Sequence, residues 1–209
     1  MSALTIYGPA MSTYVRTVRM ACAEKGVACT LEEVDFRSEA YRKLHPFNKI
    51  PAAKHGDFVL YESAAINRYV DRAFPGPALQ PADAKALALQ DQWVSAIGDY
   101  LYQVMIRELV WQRLVVPMQG GKPNEDIIKA AAPKLDYQLG VLNEALAQRP
   151  YLAGAACSLA DLALFPILAY VRVTPEGQAA LKKVPAVTAW YDRMAARPSA
   201  VATDPAAKR

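Results

Sequence analysis

Over the first third of the chain, the spacing of apolar residues switches between two periods. Residues 4–7 (LTIY) form a short strand-like run, and Gly8-Pro9-Ala10 ends it as a turn. Val15, Val18, Arg19 and Cys22 then fall at helical spacing, which predicts a helix over 15–25 with Gly26 as its stop. Residues 29–34 read as a second strand, parallel to the first because a helix intervenes. A short helix or turn is predicted over 39–44. Residues 52–54 and 58–61 flank His55-Gly56-Asp57 as a β-hairpin, and 63–73 is again helical. The order is βαβ, a short α, then ββα.

Phe74-Pro75-Gly76-Pro77 and Gln80-Pro81 interrupt this pattern as a linker over 76–83. Beyond it no strand signal remains. Segments 84–115, 124–148, 159–173 and 187–197 are helical by period, separated by Pro or Gly. The chain therefore divides into an α/β domain over 1–75 and an all-α domain over 84–209.

Composition narrows the function classes. With 53% hydrophobic and 21% charged residues, 209 residues suffice for packed cores and show no sign of disorder. The net charge of +4 comes from scattered Lys and Arg, not from the basic stripe that nucleic-acid binding needs. Such a weak positive balance favours small anionic ligands. Cys22, Cys29 and Cys157 make no CxxC pair and no metal spacing, which suits a reducing compartment. No signal-peptide pattern opens the chain and no apolar run reaches membrane-spanning length, so a cytoplasmic location is expected.

Three local features of the first domain carry chemistry. Gly8-Pro9-Ala10-Met11-Ser12-Thr13 is a strand-to-helix turn ending in two hydroxyls; taken alone, it reads as a helix cap. Asn48-Lys49-Ile50-Pro51 precedes a strand. With a cis bond at Pro51, Ile50 would turn its N–H and C=O outward to pair with an extended peptide. Glu62-Ser63 lies at a helix start, where free N–H groups and the dipole favour a carboxylate and Glu62 faces an ammonium.

The order of elements, with Ile-Pro before the third strand and Glu-Ser before the third helix, resembles the cytosolic glutathione transferases along essentially the whole chain. Gly154 followed by Ser158-Leu159-Ala160-Asp161 matches that family's helix-capping box, and WYDRMAARPS over 190–199 is similar to its last helix. The turn is similar to that of a serine-type (phi- or theta-like) bacterial member. The resemblance implies a thioredoxin-like first domain (βαβαββα) that binds glutathione as co-substrate, with no metal. The helical domain would contribute to the site for an apolar electrophile, and the chain would form a homodimer.

Residue by residue, the resemblance implies that Glu62 and Ser63 hold the γ-glutamyl end and Ile50 beside Pro51 pairs with the cysteinyl backbone. Lys49 approaches the glycyl carboxylate, with Arg42 and His45 as weaker candidates. Where phi-type members often carry a His, this chain has Phe36. Ser12 is the expected thiol activator, with Thr13 and Tyr7 as rivals. Because no cysteine shares the turn, transfer of glutathione to an apolar electrophile fits better than thiol–disulfide exchange. The expected surface for that electrophile includes Met11 and the helical stripe Tyr102, Met105, Ile106 and Trp111, although such spacing belongs more often to a core than to a pocket. Glutathione-dependent isomerase, dehalogenase or peroxidase chemistry is the alternative, and a silent ligand- or partner-binding module is the other.

Overall fold

A computed structural model describes residues 3–206. The chain forms two compact units, one running to Pro81 and including the segment from Ala195 on, the other spanning Ala82–Met194.

In the first unit, strands β1 (Leu4–Tyr7), β2 (Cys29–Glu32), β3 (Ala52–His55) and β4 (Phe58–Tyr61) form one sheet in the order β2-β1-β3-β4. β1 pairs in parallel with β2 across the crossover helix α1 (Thr13–Lys25), and antiparallel with β3, which continues as a hairpin into β4. Alternation in β1 puts Leu4 and Ile6 into the core, where they join Val15, Val18 and Met20 of α1. Helix α3 (Ser63–Ala73) adds Ile66 and Val70 and packs on α1, while α2 (Glu39–Arg42) is a single turn. Gly26 ends α1 at φ 69, as its position after the last periodic residue predicts.

Asp71 fixes the segment beyond α3. It accepts from Leu79 N (2.8 Å), Gln80 Nε2 (3.0 Å) and Lys25 Nζ (3.2 Å). Burial raises the Asp71 carboxyl, but the Leu79 N–H, Gln80 and Lys25 together hold it below its ordinary value. The segment from Ala195 on differs from the expectation that 84–209 is one helical domain. Arg16 donates to Ala200 O (3.0 Å), and Arg197 and Ser199 both bind Glu24, so α10 (Pro198–Ala202) packs on α1.

The second unit is helical: α4 (Ala84–Ala96), α5 (Val116–Met118), α6 (Glu125–Ala147), α7 (Leu159–Val171), α8 (Pro175–Leu181) and α9 (Pro185–Ala195). From α4 to α5 the chain stays helical but widens to i→i+5 bonding over Ile97–Leu101 and Gln103–Val115; thus Tyr102 N–H donates to Ile97 O and Val116 N–H to Trp111 O. Nothing in the apolar spacing signals that change. Met105 and Ile106 are core residues, as the spacing favours, whereas Trp111 is exposed.

The expected capping box at α7 closes. Asp161 accepts from Ser158 N (2.9 Å), Ser158 Oγ (2.8 Å), Leu152 N (2.9 Å) and Trp190 Nε1 (2.8 Å), all of them buried. Arg113 joins three helical segments by pairing with Glu125 and Glu176.

Helices α8 and α10 escape the sequence reading for one reason. Each opens with a proline, which reads as a break but also suits the first helical turn, where no N–H is needed.

Candidate functional site

The sheet register brings the three chemical features together. Tyr7 lies opposite Ala52, and Ala52 opposite Tyr61. The residues one step beyond, Gly8, Pro51 and Glu62, therefore sit abreast at one end of the sheet. Neighbouring strands lie about 4.8 Å apart, so the row from β1 across β3 to β4 spans about 10 Å.

At one end of the row, Gly8 N–H donates to Glu32 O (2.9 Å), and the backbone turns at φ 142. A Cβ on Gly8 would lie 2.7 Å from Val15 Cγ2 and 3.3 Å from Ile50 Cβ, so the turn, α1 and the Ile50 loop meet there. Ser12 N–H donates to Pro9 O (3.0 Å), which places Ser12 as the N-cap of α1 at φ −68, ψ 127. Its Oγ accepts from Val15 N at 3.4 Å, a long cap bond. Among the described residues the Ser12 hydroxyl donates to no acceptor. The first turn of α1 carries no acidic side chain, which leaves its positive dipole end uncompensated.

The rival hydroxyls stand differently. Thr13 is buried inside the first turn, whereas Ser12 is half-buried. Tyr7 is half-buried beside Glu32; burial first, and then the Glu32 charge, raise its phenol above the ordinary value, so it holds its proton more tightly.

In the middle of the row the Ile50–Pro51 peptide is cis. Among the described residues neither the N–H nor the C=O of Ile50 has a hydrogen-bond partner. Tyr41 steadies the loop by donating from its hydroxyl to Lys49 O (2.8 Å), and burial pushes that phenol up to about 12. The loop carries Lys49 exposed. His45 is buried, its ring 4.8 Å from that of Tyr61, and burial lowers its pKa. His45 packs between the rings of Tyr41, Phe47 and Tyr61, and Arg42 is exposed at the end of α2.

At the far end Glu62 adopts φ 69, ψ 114, a conformation that costs a non-glycine residue about 1–3 kcal/mol and so needs a reason. It is exposed and N-caps α3 without a side-chain bond, while Ser63 occupies the first helical position. The first-turn N–H groups of α3 have no acidic side chain to answer them, which makes this helix start receptive to an anion. Gly8, visible in the sequence only as part of a turn, and Tyr41 are the supporting residues of the site. Only the Gly-Pro pair carried a signal for the first, and nothing marked the second.

The row has peptide length, with the unbonded backbone groups of Ile50 at its centre and a helix start at each end. Two family models match the chain: "Glutathione S-transferase, N-terminal domain" over residues 6–78 and "Glutathione S-transferase, C-terminal domain" over 87–198. The chain belongs to the glutathione S-transferase family.

Glutathione S-transferase 3 of Zea mays is 36% identical over 95% of this chain and 92% of its own length. Among solved structures, glutathione S-transferase III in apo form superposes with a TM-score of 0.91 at 33% identity, covering 100% of this chain and 98% of that one. Glutathione S-transferase I from maize, solved with an atrazine glutathione conjugate, reaches 0.89 at 26% identity and 99% coverage of both chains. The Zea mays relatives are plant proteins, whereas a theta class glutathione S-transferase from the citrus canker pathogen Xanthomonas axonopodis pv. citri superposes with a TM-score of 0.85 at 32% identity, covering 97% of both chains, so the relatives do not establish the bacterial membership that the turn suggests. The family consists of enzymes, and the thioredoxin-like first unit and helical second unit agree with the expected fold. No helix among the described residues is long and apolar enough to cross a membrane. No group of three or more His, Cys, Asp or Glu among them is placed to hold a metal ion.

Proposed function

We propose that this chain joins the thiolate of glutathione to an apolar electrophile, and that it is a serine-type member in which Ser12 activates the thiol. The observation that carries this reading is the row of Gly8, Pro51 and Glu62 at one sheet end. An extended tripeptide is about 10 Å long, which matches the row. In this reading the γ-glutamyl carboxylate takes the first-turn N–H groups of α3 at Ser63, and Glu62 faces the ammonium. The N–H and C=O of Ile50, set beside Pro51, pair with the cysteinyl backbone. Lys49 reaches toward the glycyl carboxylate. The cysteinyl sulfur then approaches the start of α1 and Ser12.

The chemistry asks Ser12 for a donor, not a base. Its Oγ already accepts from Val15 N, and its proton is free to point at sulfur. Lowering a thiol pKa by about two units corresponds to about 2.7 kcal/mol of preference for the anion. One charge-assisted hydrogen bond supplies about 1.5–3 kcal/mol and the α1 dipole about 0.3–1 kcal/mol. The thiol proton leaves to solvent, and the sulfur lone pair attacks the electrophilic carbon as its leaving group departs. The maize relative solved with an atrazine glutathione conjugate supports an apolar second substrate.

Ser12→Ala tests the assignment. Conjugation of a chloro-aromatic substrate should fall about 100-fold, the loss of about 2.7 kcal/mol, with retention on a glutathione resin preserved. Tyr7→Phe should keep most of the activity. Unchanged turnover in Ser12→Ala removes Ser12 from the mechanism, and no retention of the native chain removes glutathione.

The reading includes a homodimer and a cytoplasmic location. A largely apolar groove of about 670 Å³ in the helical unit, bordered by Trp93, Tyr100, Val104 and Tyr137, and an exposed Phe47 in the first unit, support association between copies. Cys22, Cys29 and Cys157, none of them in a disulfide among the described residues, support a reducing compartment. Sedimentation of the purified chain tests the first, and cell fractionation the second.

A further inference from the structure

Tyr102 and Trp111, both expected to meet the electrophile, flank Arg107 rather than sharing a face with the buried Met105 and Ile106. Arg107 Cζ lies over the Tyr102 ring and over the Trp111 ring, 5.6 Å from each centroid, within reach of a cation–π contact. The widened helix produces this ladder. In an α-helix residues three and four apart are neighbours, and residues five apart are not. Bonding from i to i+5 brings Tyr102 and Arg107 one turn apart, and Trp111 follows four residues on.

The ladder leaves a cation unanswered. Glu108, next to Arg107 in the chain, is taken by Lys134 at 2.9 Å, and Arg113 on the same segment is taken by Glu125 and Glu176. Among the described residues Arg107 makes no ion pair and no side-chain hydrogen bond, although it is exposed and held between two rings. A guanidinium steadied on aromatic rings keeps its planar fork of N–H donors, which suits a carboxylate in two parallel hydrogen bonds. Trp111 is 37% exposed, so its indole also offers surface to a flat ligand.

We infer that Tyr102, Arg107 and Trp111 form a binding site for a planar arene that carries a carboxylate. The Arg107 fork takes the carboxylate, and the Trp111 indole stacks on the arene. Both contacts are needed, because an exposed ion pair alone contributes little in water and the stacked ring adds apolar contact beside it. A neutral arene has only the second contact and an aliphatic carboxylate only the first, so the site selects ligands that combine them. The three residues lie wholly within the helical unit and use neither Ser12 nor the glutathione row. The inference therefore does not rest on the proposed reaction.

The test is equilibrium dialysis of the full chain against dinitrobenzoate and against dinitrobenzene, which differ by the carboxylate. The native chain should bind dinitrobenzoate about 10-fold more tightly. Arg107→Gln should bring the two ligands within about 2-fold of each other. Arg107→Lys keeps the charge but loses the fork, so it should retain only part of the preference, and Trp111→Leu should weaken both ligands. Near-native circular dichroism of each variant separates lost binding from lost fold. Three results overturn the inference: the native chain binds both ligands equally, it binds neither at millimolar concentration, or Arg107→Gln keeps the preference. A conjugation assay separates two sources of such an arene, and either result keeps the site. A lower KM for chlorodinitrobenzoate than for chlorodinitrobenzene, abolished in Arg107→Gln, makes the arene the second substrate. Bound dinitrobenzoate without that KM difference makes it a ligand apart from catalysis. Failure to conjugate either arene counts against the proposed reaction and leaves the dialysis result standing.

Discussion

Replacing Asp161 by Ala removes the acceptor for four hydrogen bonds in a buried site. The Leu152 N–H, Ser158 N–H and Trp190 Nε1–H all point at this carboxylate from 2.8–2.9 Å, and all three residues are essentially unexposed. Each orphaned buried donor costs about 1–3 kcal/mol, so the gross loss is about 3–9 kcal/mol. Two effects reduce it. Burial raises the Asp161 carboxyl, so deleting the side chain also relieves a buried charge. A water entering the vacated volume would satisfy one or two of the donors. Breaking a buried charge cluster by removing one member usually costs about 3–5 kcal/mol, which is the value expected here. For a chain of this size that corresponds to a melting temperature lower by about 6–20 °C. The assay is thermal unfolding by circular dichroism, paired with a urea titration to check that the m value is unchanged. Trp190→Phe is the comparison: it removes one donor and leaves the carboxylate with three, so its loss should be much smaller. If Asp161→Ala melts within about 2 °C of the native chain, the capping box contributes nothing and the reasoning fails.

Other expectations follow from the glutathione row and the linker. Gly8→Ala should cost at least about 2 kcal/mol, because the residue sits at φ 142 and its Cβ would press into Val15; an unchanged melting temperature would contradict that geometry. Glu62→Gly should raise the melting temperature slightly by relieving φ 69 while weakening retention on a glutathione resin; a variant unchanged in both respects would leave the strain unexplained. Asp71 governs acid stability. Its folded pKa is lowered, so its contribution is complete above the unfolded value of about 3.9 and is lost as pH falls through the folded one. Asp71→Asn should therefore be less stable at pH 7 and lose less between about pH 5 and pH 3, as thermal midpoints across that range would reveal.

The periods of the first domain were readable because each strand is short, half-buried and bounded by Gly or Pro, so alternation and punctuation agree. The second unit was less so. Its helices were visible by spacing, but Pro175, Pro185 and Pro198 each occupy a first helical position, where the pattern alone reads a gap. The widened bonding over Ile97–Val115 leaves the apolar spacing helical and hence has no signature. The return of Ala195 onward to the first unit depends on Arg16, Glu24 and Arg197, whose partners lie more than 170 residues away along the chain.

Site residues were named from local motifs, each of which has an ordinary structural explanation: a cap, a strand-opening proline, a capping serine. What the sequence could not supply is the register. Tyr7, Ala52 and Tyr61 are level only because β1 pairs antiparallel with β3 and a short hairpin carries β3 into β4. That alignment turns three accidents of turn chemistry into one row. Shifting β3 by one residue would exchange its faces, bury Lys54 in place of Ala53, and carry Ile50 out of line with Gly8 and Glu62. The core and the site are therefore fixed by the same pairing. In the proposed reading glutathione binding draws on the whole row, whereas thiol activation draws on the single Ser12 hydroxyl at one end of it.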